Sequence, residues 1–267
     1  VNPLERAHAS AIRANDRLDR LFDRIGTVKN PKGVIVSAFR NSRRAMATTY
    51  RNGKWDVAAA ADVLDNLEQM VSDRSHLLIL RGREVGIDTA REQLHAYDLS
   101  PNVSDATTVM RPALRVVAAT VQRQTAQALA LIDTGASVEQ VLGGEGEWGM
   151  FSPAPTAQEV SAWSAREAMG ALSGMMEGGA VGTGQVFMKQ AIAALDAVTT
   201  DTCLEINGVI VGLDEDFHLT AEPRYADDMD WPPFHWWCRT VVALYQEQYD
   251  LGVTERLLSE SAERLSE

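Results

Sequence analysis

The apolar positions of the first 25 residues fall in a regular a/d spacing: Leu4, Ala7, Ala11, Ala14, Leu18, Leu21 and Ile25, with Asp and Arg between them. That period lays one apolar stripe along a helix, and Gly26 ends it. Three heptads with small residues at the front predict an amphipathic helix packed on its own domain or a neighbour rather than an autonomous coiled coil. Asn30-Pro31-Lys32-Gly33 reads as a turn, Val34-Ile35-Val36 as a short apolar run, and residues 38–50 as a helix broken by Asn52-Gly53. Val57, Ala60, Ala61, Leu64, Leu67 and Val71 share a face of the next helix. A separate helix is expected over residues 75–97, weakened by Gly82 and Gly86.

Residues 100–105 read as a loop, and Pro112 suits the first turn of a helix running to Ile132. Residues 143–155, rich in Gly and Pro, are the best candidate for a linker or mobile loop. Thr156 with Glu159 has the spacing of a capping box that opens a helix through Met176. Glycines 178, 179, 182 and 184 then interrupt, and a second helix is expected over residues 185–195. Beyond it the pattern changes. Asn207-Gly208 separates Leu204-Glu205-Ile206 from Val209-Ile210-Val211, which predicts a tight hairpin with Cys203 at the start of its first strand. Pro232-Pro233 holds an extended entry to a strand over residues 240–245, which would pair with that hairpin and bring Cys238 towards Cys203. The expected fold is therefore α+β, mainly α: a helical N-terminal two thirds with a small C-terminal β-hairpin/sheet module.

Composition adds little, but charge distribution adds more. Hydrophobic content of 45% and charged content of 23% are those of a soluble globular chain. No run approaches the roughly 20 apolar residues of a spanning helix, and residues 1–6 lack the apolar core of an export signal, so neither membrane insertion nor general export is expected. Residues 1–134 hold 19 Lys and Arg against 15 Asp and Glu, whereas residues 135–267 hold 6 against 22. The acidic half is unsuited to wrapping a phosphate backbone. The basic half offers Lys29, Lys32, Arg40, Arg43, Arg44, Arg51 and Lys54 for a weak DNA contact, although a solvated face or docking on an acidic protein is the commoner use of such residues.

Three spacings invite chemistry and fall short of it. Glu145-Gly146-Glu147 has the Glu-x-Glu spacing of some ADP-ribosyltransferases but sits in a Gly-rich loop. Gly178-Gly179 through Gly184 lacks the Lys-Ser/Thr of a phosphate-binding loop and reads as a hinge. Asp214, Glu215, Asp216, Asp227, Asp228 and Asp230 have the oxygens a hard cation prefers, without the spacing of an EF-hand; solvated acidic loops explain them.

The unusual residues concentrate between Thr199 and Val242, which hold both cysteines, three of the six tryptophans and two of the five histidines. The order is Thr200-Asp201-Thr202-Cys203, then Gly208, then Pro232-Pro233-Phe234-His235-Trp236-Trp237-Cys238-Arg239-Thr240 and a short apolar strand. This order resembles the C-terminal signature of the phage Mu F-like minor head proteins, also called phage head morphogenesis proteins. Arg166-Glu167 on a predicted helix, and Phe187-Met188-Lys189-Gln190 through Ala194-Leu195-Asp196, agree with that family's approach to the signature. The resemblance covers residues 156–246.

It implies a helical docking region over residues 1–142, a linker at 143–155, the Mu F-like domain at 156–246 and a C-terminal helical tail at 247–267. It implies a virion structural protein of a tailed phage or prophage, assembled in the bacterial cytoplasm and placed in the head near the portal vertex. Its partners would be portal, capsid or scaffold protein, and it would be packaged or ejected with DNA; no membrane partner and no enzymatic activity are implied. Family members with more thiols have a zinc knuckle, whereas Thr200 and Thr240 stand here at two of those positions. Cys203, His235 and Cys238 remain as metal ligands, and Asp201, Glu205, His218 or water would have to complete four. No cofactor is expected on that ligand count, with zinc as the alternative; equally, the cysteines would be small buried apolar residues and His235 would bond a loop carbonyl. A Cys203–Cys238 disulfide is disfavoured in a reducing cytoplasm. The competing function is an enzyme, either a metal-dependent hydrolase or a transferase-type toxin working through this cassette.

Overall fold

The computed structural model describes residues 2–26, 32–144, 148–220 and 228–266. It is 65% helical with 9% strand, with small sheets towards the C-terminal end, so the chain is α+β and mainly α. The chain forms two compact units, neither of them one continuous stretch. Unit 1 comprises residues 1–20, 80–109 and 164–267; unit 2 comprises residues 21–79 and 110–163. The helices α1 (Pro3–Ile25), α3 (Val57–Ala96) and α6 (Ala154–Ala180) each give one part to each unit.

Unit 2 contains α2 (Val34–Thr49), α4 (Met110–Asp133) and α5 (Val138–Leu142) besides its parts of the three long helices. Val34-Ile35-Val36 is the first turn of α2 rather than a separate run. Asn52-Gly53, expected only to end a helix, is the tip of a hairpin joining β1 (Tyr50–Arg51) to β2 (Lys54–Trp55). Both residues have positive φ, as this two-residue turn requires, and Tyr50 meets Trp55 edge-on. Thr156 does not cap α6, which begins two residues earlier; its hydroxyl, buried inside the unit, donates to Gln124 Oε1 at 2.9 Å. Within residues 143–155, Gly149–Phe151 forms a 3-10 helix whose Phe151 is buried.

In unit 1, the stripe Leu4, Ala7, Ala11, Ala14 and Leu18 is fully buried. The two helices expected over 57–71 and 75–97 are one helix of 40 residues. Gly82 and Gly86 do not weaken it, because each lies against the α6 backbone: a Cβ there would stand 2.1 Å from Ser164 O and 2.0 Å from Ala168 O. The close approach recovers in contact what glycine loses in propensity. Gly178 and Gly179 likewise lie inside α6 and do not end it. Glu167, fully buried, accepts from Thr108 Oγ1 at 2.6 Å and Val109 N at 2.7 Å and pairs with Arg83 at 3.1 Å, fixing the 106–109 segment to α6.

The sheet of unit 1 is antiparallel, in the order β4-β3-β7. Its centre, β3 (Met188–Ile192), overturns the helix expected over 185–195. Met188-Lys189-Gln190-Ala191-Ile192 has good helix formers, but it is paired on both edges, with β4 (Ile210–Gly212) and β7 (Val241–Tyr245). Tertiary pairing outweighs local propensity here. The hairpin expected around Asn207-Gly208 is also absent. Residues Asp201–Ile206 form α7, which therefore carries Cys203, and β4 follows. Gly208 has positive φ and Asn207 does not, so the two-residue turn cannot form. Instead Asn207 Oδ1 accepts from Ala193 N at 2.9 Å and Gly208 N donates to Ala191 O at 2.8 Å, docking the pair on β3. A ribbon of β5 (Phe217–His218) and β6 (Asp228–Met229), and the C-terminal helix α8 (Val253–Ser266), complete the unit.

Candidate functional site

Cys203 comes from α7, while His235, Cys238 and Thr240 come from the segment between a cis Pro232–Pro233 bond and β7. Trp237 holds φ +62°, a left-handed turn that lets Cys238 N reach back to His235 O at 3.3 Å. Cys203, His235 and Cys238 are all buried, and their ligand atoms lie within 4.8 Å of one another.

The hydrogen bonding follows from His235. Its Nδ1 is 2.6 Å from Trp236 O, which only accepts, so that nitrogen carries the proton. Nε2 then receives from the Thr200 hydroxyl at 2.8 Å and the Cys203 thiol at 2.9 Å. Thr240 Oγ1 donates to Cys203 Sγ at 3.0 Å, and the two sulfurs are 3.7 Å apart as free thiols. The hydrogen bond with Cys238 and burial push the Cys203 thiol well above its ordinary value.

The donor set does not meet the requirement of a closed zinc site. Cys203, His235 and Cys238 would occupy three corners, with His235 already oriented through its Nδ1–H as a zinc ligand is. The fourth side is filled by the hydroxyls of Thr200 and Thr240, and the adjacent cavity measures about 10 Å³. The residues expected to supply a fourth ligand are elsewhere. Glu205 accepts from Thr220, His218 pairs with Asp228 at 2.6 Å, and Asp201 is exposed. Four protein ligands are the rule for structural zinc, and among the described residues three are present.

Comparison with family models, with curated proteins and with solved structures finds no match. The site is therefore read from its own geometry. Arg239, next to Cys238, forks onto Asp196 through bonds of 2.5 and 2.6 Å and reaches Asp19 at 3.1 Å. This holds the carboxyl of Asp196 below its ordinary value, chiefly through the bond from Arg239. The fork ties the signature to the segment leaving β3.

The remaining expected residues scatter. Glu215 closes its own turn on Gly212 N, Asp228 pairs with His218, and Asp230 pairs with Lys189, so these acids do not converge on a cation. Asp227, the Glu145-Gly146-Glu147 motif, Lys29 and the Asn30-Pro31 part of the expected turn lie outside the described residues. Arg43 is not available to DNA in unit 2: it donates to Gly143 O and Gly144 O at 3.0 Å and lies over Trp148.

Sequence reasoning missed Lys189. Its side chain is fully buried on β3, donates to Leu213 O at 3.0 Å, pairs with Asp230 and stands 4.9 Å from the Trp231 ring. A lysine inside an expected helix gives no signal of burial. It missed also a cavity of about 460 Å³ in unit 1, beside α1.

Proposed function

We propose that the chain is a minor head component of a tailed phage or prophage that acts near the portal by protein–protein binding. The observation carrying this reading is the convergence of the signature. Thr200, Cys203, His235, Cys238 and Thr240 are far apart in sequence yet bond one another in one cluster, and Arg239, next to Cys238, pairs with Asp196. The spaced residues that carry the resemblance thus serve one structural purpose, holding α7 and the pre-β7 segment onto the sheet. Portal, scaffold or capsid protein is the partner, the chain is packaged or ejected with DNA, and basic residues of the N-terminal half supply any weak contact to it.

The hydrolase and transferase alternative finds little support in this cluster. A cavity of about 10 Å³ has room for one water at most and none for a substrate, and both thiols are buried. The test is mass spectrometry of purified mature particles. The chain is expected at low copy number and lost from particles when the portal gene is deleted; finding it only in the particle-free fraction rejects the reading. Zinc analysis of the purified chain is expected to give well below one equivalent, and tight stoichiometric zinc would reopen the metal reading.

A further inference from the structure

The chain holds two Asn-Gly pairs, Asn52-Gly53 and Asn207-Gly208, and the fold treats them oppositely. In such a pair the backbone nitrogen of the glycine can attack the side-chain amide carbon of the asparagine, because glycine has no side chain to hinder the approach. The reaction needs both groups free and the chain between them able to turn.

Asn52-Gly53 meets these needs. Arg51, Asn52, Gly53 and Lys54 are all exposed, and a Cβ added at Gly53 would meet nothing within 4 Å. Among the described residues, neither Asn52 nor Gly53 makes a hydrogen bond. While the turn is paired it resists the backbone rotation that ring closure requires. Behind the tip, however, each strand is only two residues long, and a two-stranded ribbon is marginal in water, so the tip opens locally at small cost. Its base stays anchored through Trp55 Nε1, which donates to Ala136 O at 2.7 Å, and Asp56 N, which donates to Thr49 O at 2.8 Å.

Asn207-Gly208 meets none of them. The attacking nitrogen, Gly208 N, donates to Ala191 O at 2.8 Å, and Gly208 O accepts from Gln190 Nε2 at 3.1 Å. The amide under attack is held too, since Asn207 Oδ1 accepts from Ala193 N at 2.9 Å. Freeing this pair means lifting it off β3, which belongs to a three-stranded sheet.

We propose that Asn52 is a site of spontaneous deamidation in the folded chain and that the fold protects Asn207 from the same reaction. Gly53 N loses its proton and bonds Asn52 Cγ, the Cγ–Nδ2 bond breaks, and ammonia leaves with that proton, closing a five-membered succinimide. Water then opens the ring at one carbonyl to give aspartate, or at the other to give isoaspartate. Water is the only co-reactant, and nothing is oxidised or reduced. The aspartate product keeps the turn, because Asp-Gly forms it as Asn-Gly does. Isoaspartate adds a methylene to the main chain and does not. Either product sets a carboxylate between Arg51 and Lys54, and neither returns to asparagine, so the tip records the time a chain has spent in water. This does not rest on the head-protein reading.

The test holds the full chain at mildly alkaline pH, folded in buffer and unfolded in guanidinium chloride. Samples taken over weeks are digested at acidic pH, the two Asn-Gly peptides are quantified by their mass gain, and isoaspartyl methyltransferase labelling gives a second readout. In the folded chain Asn52 is expected to convert at least about ten-fold faster than Asn207, and in guanidinium chloride the two rates are expected to agree within about three-fold. The exposed substitution Asn52→Ser should remove the early methyltransferase signal. A smaller ratio in the folded chain, the same ratio in guanidinium chloride, or an early signal that survives Asn52→Ser overturns the proposal.

Discussion

Around Cys203 the polar side chains satisfy one another, whereas along α1 two buried acceptors have no partner among the described residues. His235 spends both ring nitrogens, Thr200 and Thr240 spend their hydroxyls, and about 10 Å³ is left beside them. His8 and Asn15 spend one polar atom each and leave the other buried without a partner among the described residues. The residues that are rare in the sequence thus form the fully bonded region, and ordinary residues form the under-bonded one. Unmet hydrogen bonding, rather than unusual composition, marks where the fold carries a local cost.

The sharpest way to break this contrast is His235→Ala. It removes the group that receives both Thr200 and Cys203, leaves the Cys203 thiol buried without that partner, and opens a cavity. A loss of about 3 kcal/mol is expected from the sum of these effects. Urea unfolding followed by circular dichroism measures it. A change below about 1 kcal/mol would mean that the cluster does not hold the signature together.

The two regions also differ in how far the sequence announces them. Cys203, His235 and Cys238 were legible as a group because scarce residue types are concentrated in one short stretch of the chain. Their packing was not: the pairing of α7 with the pre-β7 segment depends on Asn207 docking on β3, a contact 14 residues distant. The α1 stripe and β7 were legible because their periods and β-branched content match what they became. β3 was illegible for the opposite reason, since Lys189 and Gln190 look solvent-facing and are fully buried by two neighbouring strands. His8 and Asn15 occupy one flanking position of the α1 heptad, next to Ala7 and Ala14. A His and an Asn repeated there is a weak signal of a widened buried face, and nothing local shows which atom stays unpaired.

A pH titration separates the regions next. The folded-state pKa of His8 lies below the ordinary 6.5, because burial outweighs the bond to Gln190 and the field of Asp250. The unfolded chain therefore takes a proton near pH 6.5 that the folded chain refuses, and stability falls as pH drops from 6.5 towards the lowered value. The slope cannot exceed that of one proton, about 1.4 kcal/mol per pH unit. His8→Gln should flatten this component, measured as unfolding free energy against pH. The loss attached to Asp196 and Glu92, whose carboxyls are held low by arginine bonds, belongs to a more acidic window and should remain.

The smallest effect expected is the most discriminating. Asn15→Leu loses the bond from Nδ2 to Ile192 O, worth about 1 kcal/mol, and leaves that carbonyl to find another partner. It also removes a buried oxygen that has no partner, which relieves a penalty of about 1–3 kcal/mol, and adds apolar surface to a wall already lined by Ile12 and Leu257. These terms oppose each other, so the stability should change by less than about 1 kcal/mol. His235→Ala has no such offset, since every group it abandons was satisfied. If Asn15→Leu instead costs more than about 2 kcal/mol by urea unfolding, Asn15 Oδ1 is already held by ordered water. The α1 face would then be as fully bonded as the Cys203 cluster, and the difference between the two regions would be one of solvent rather than of protein.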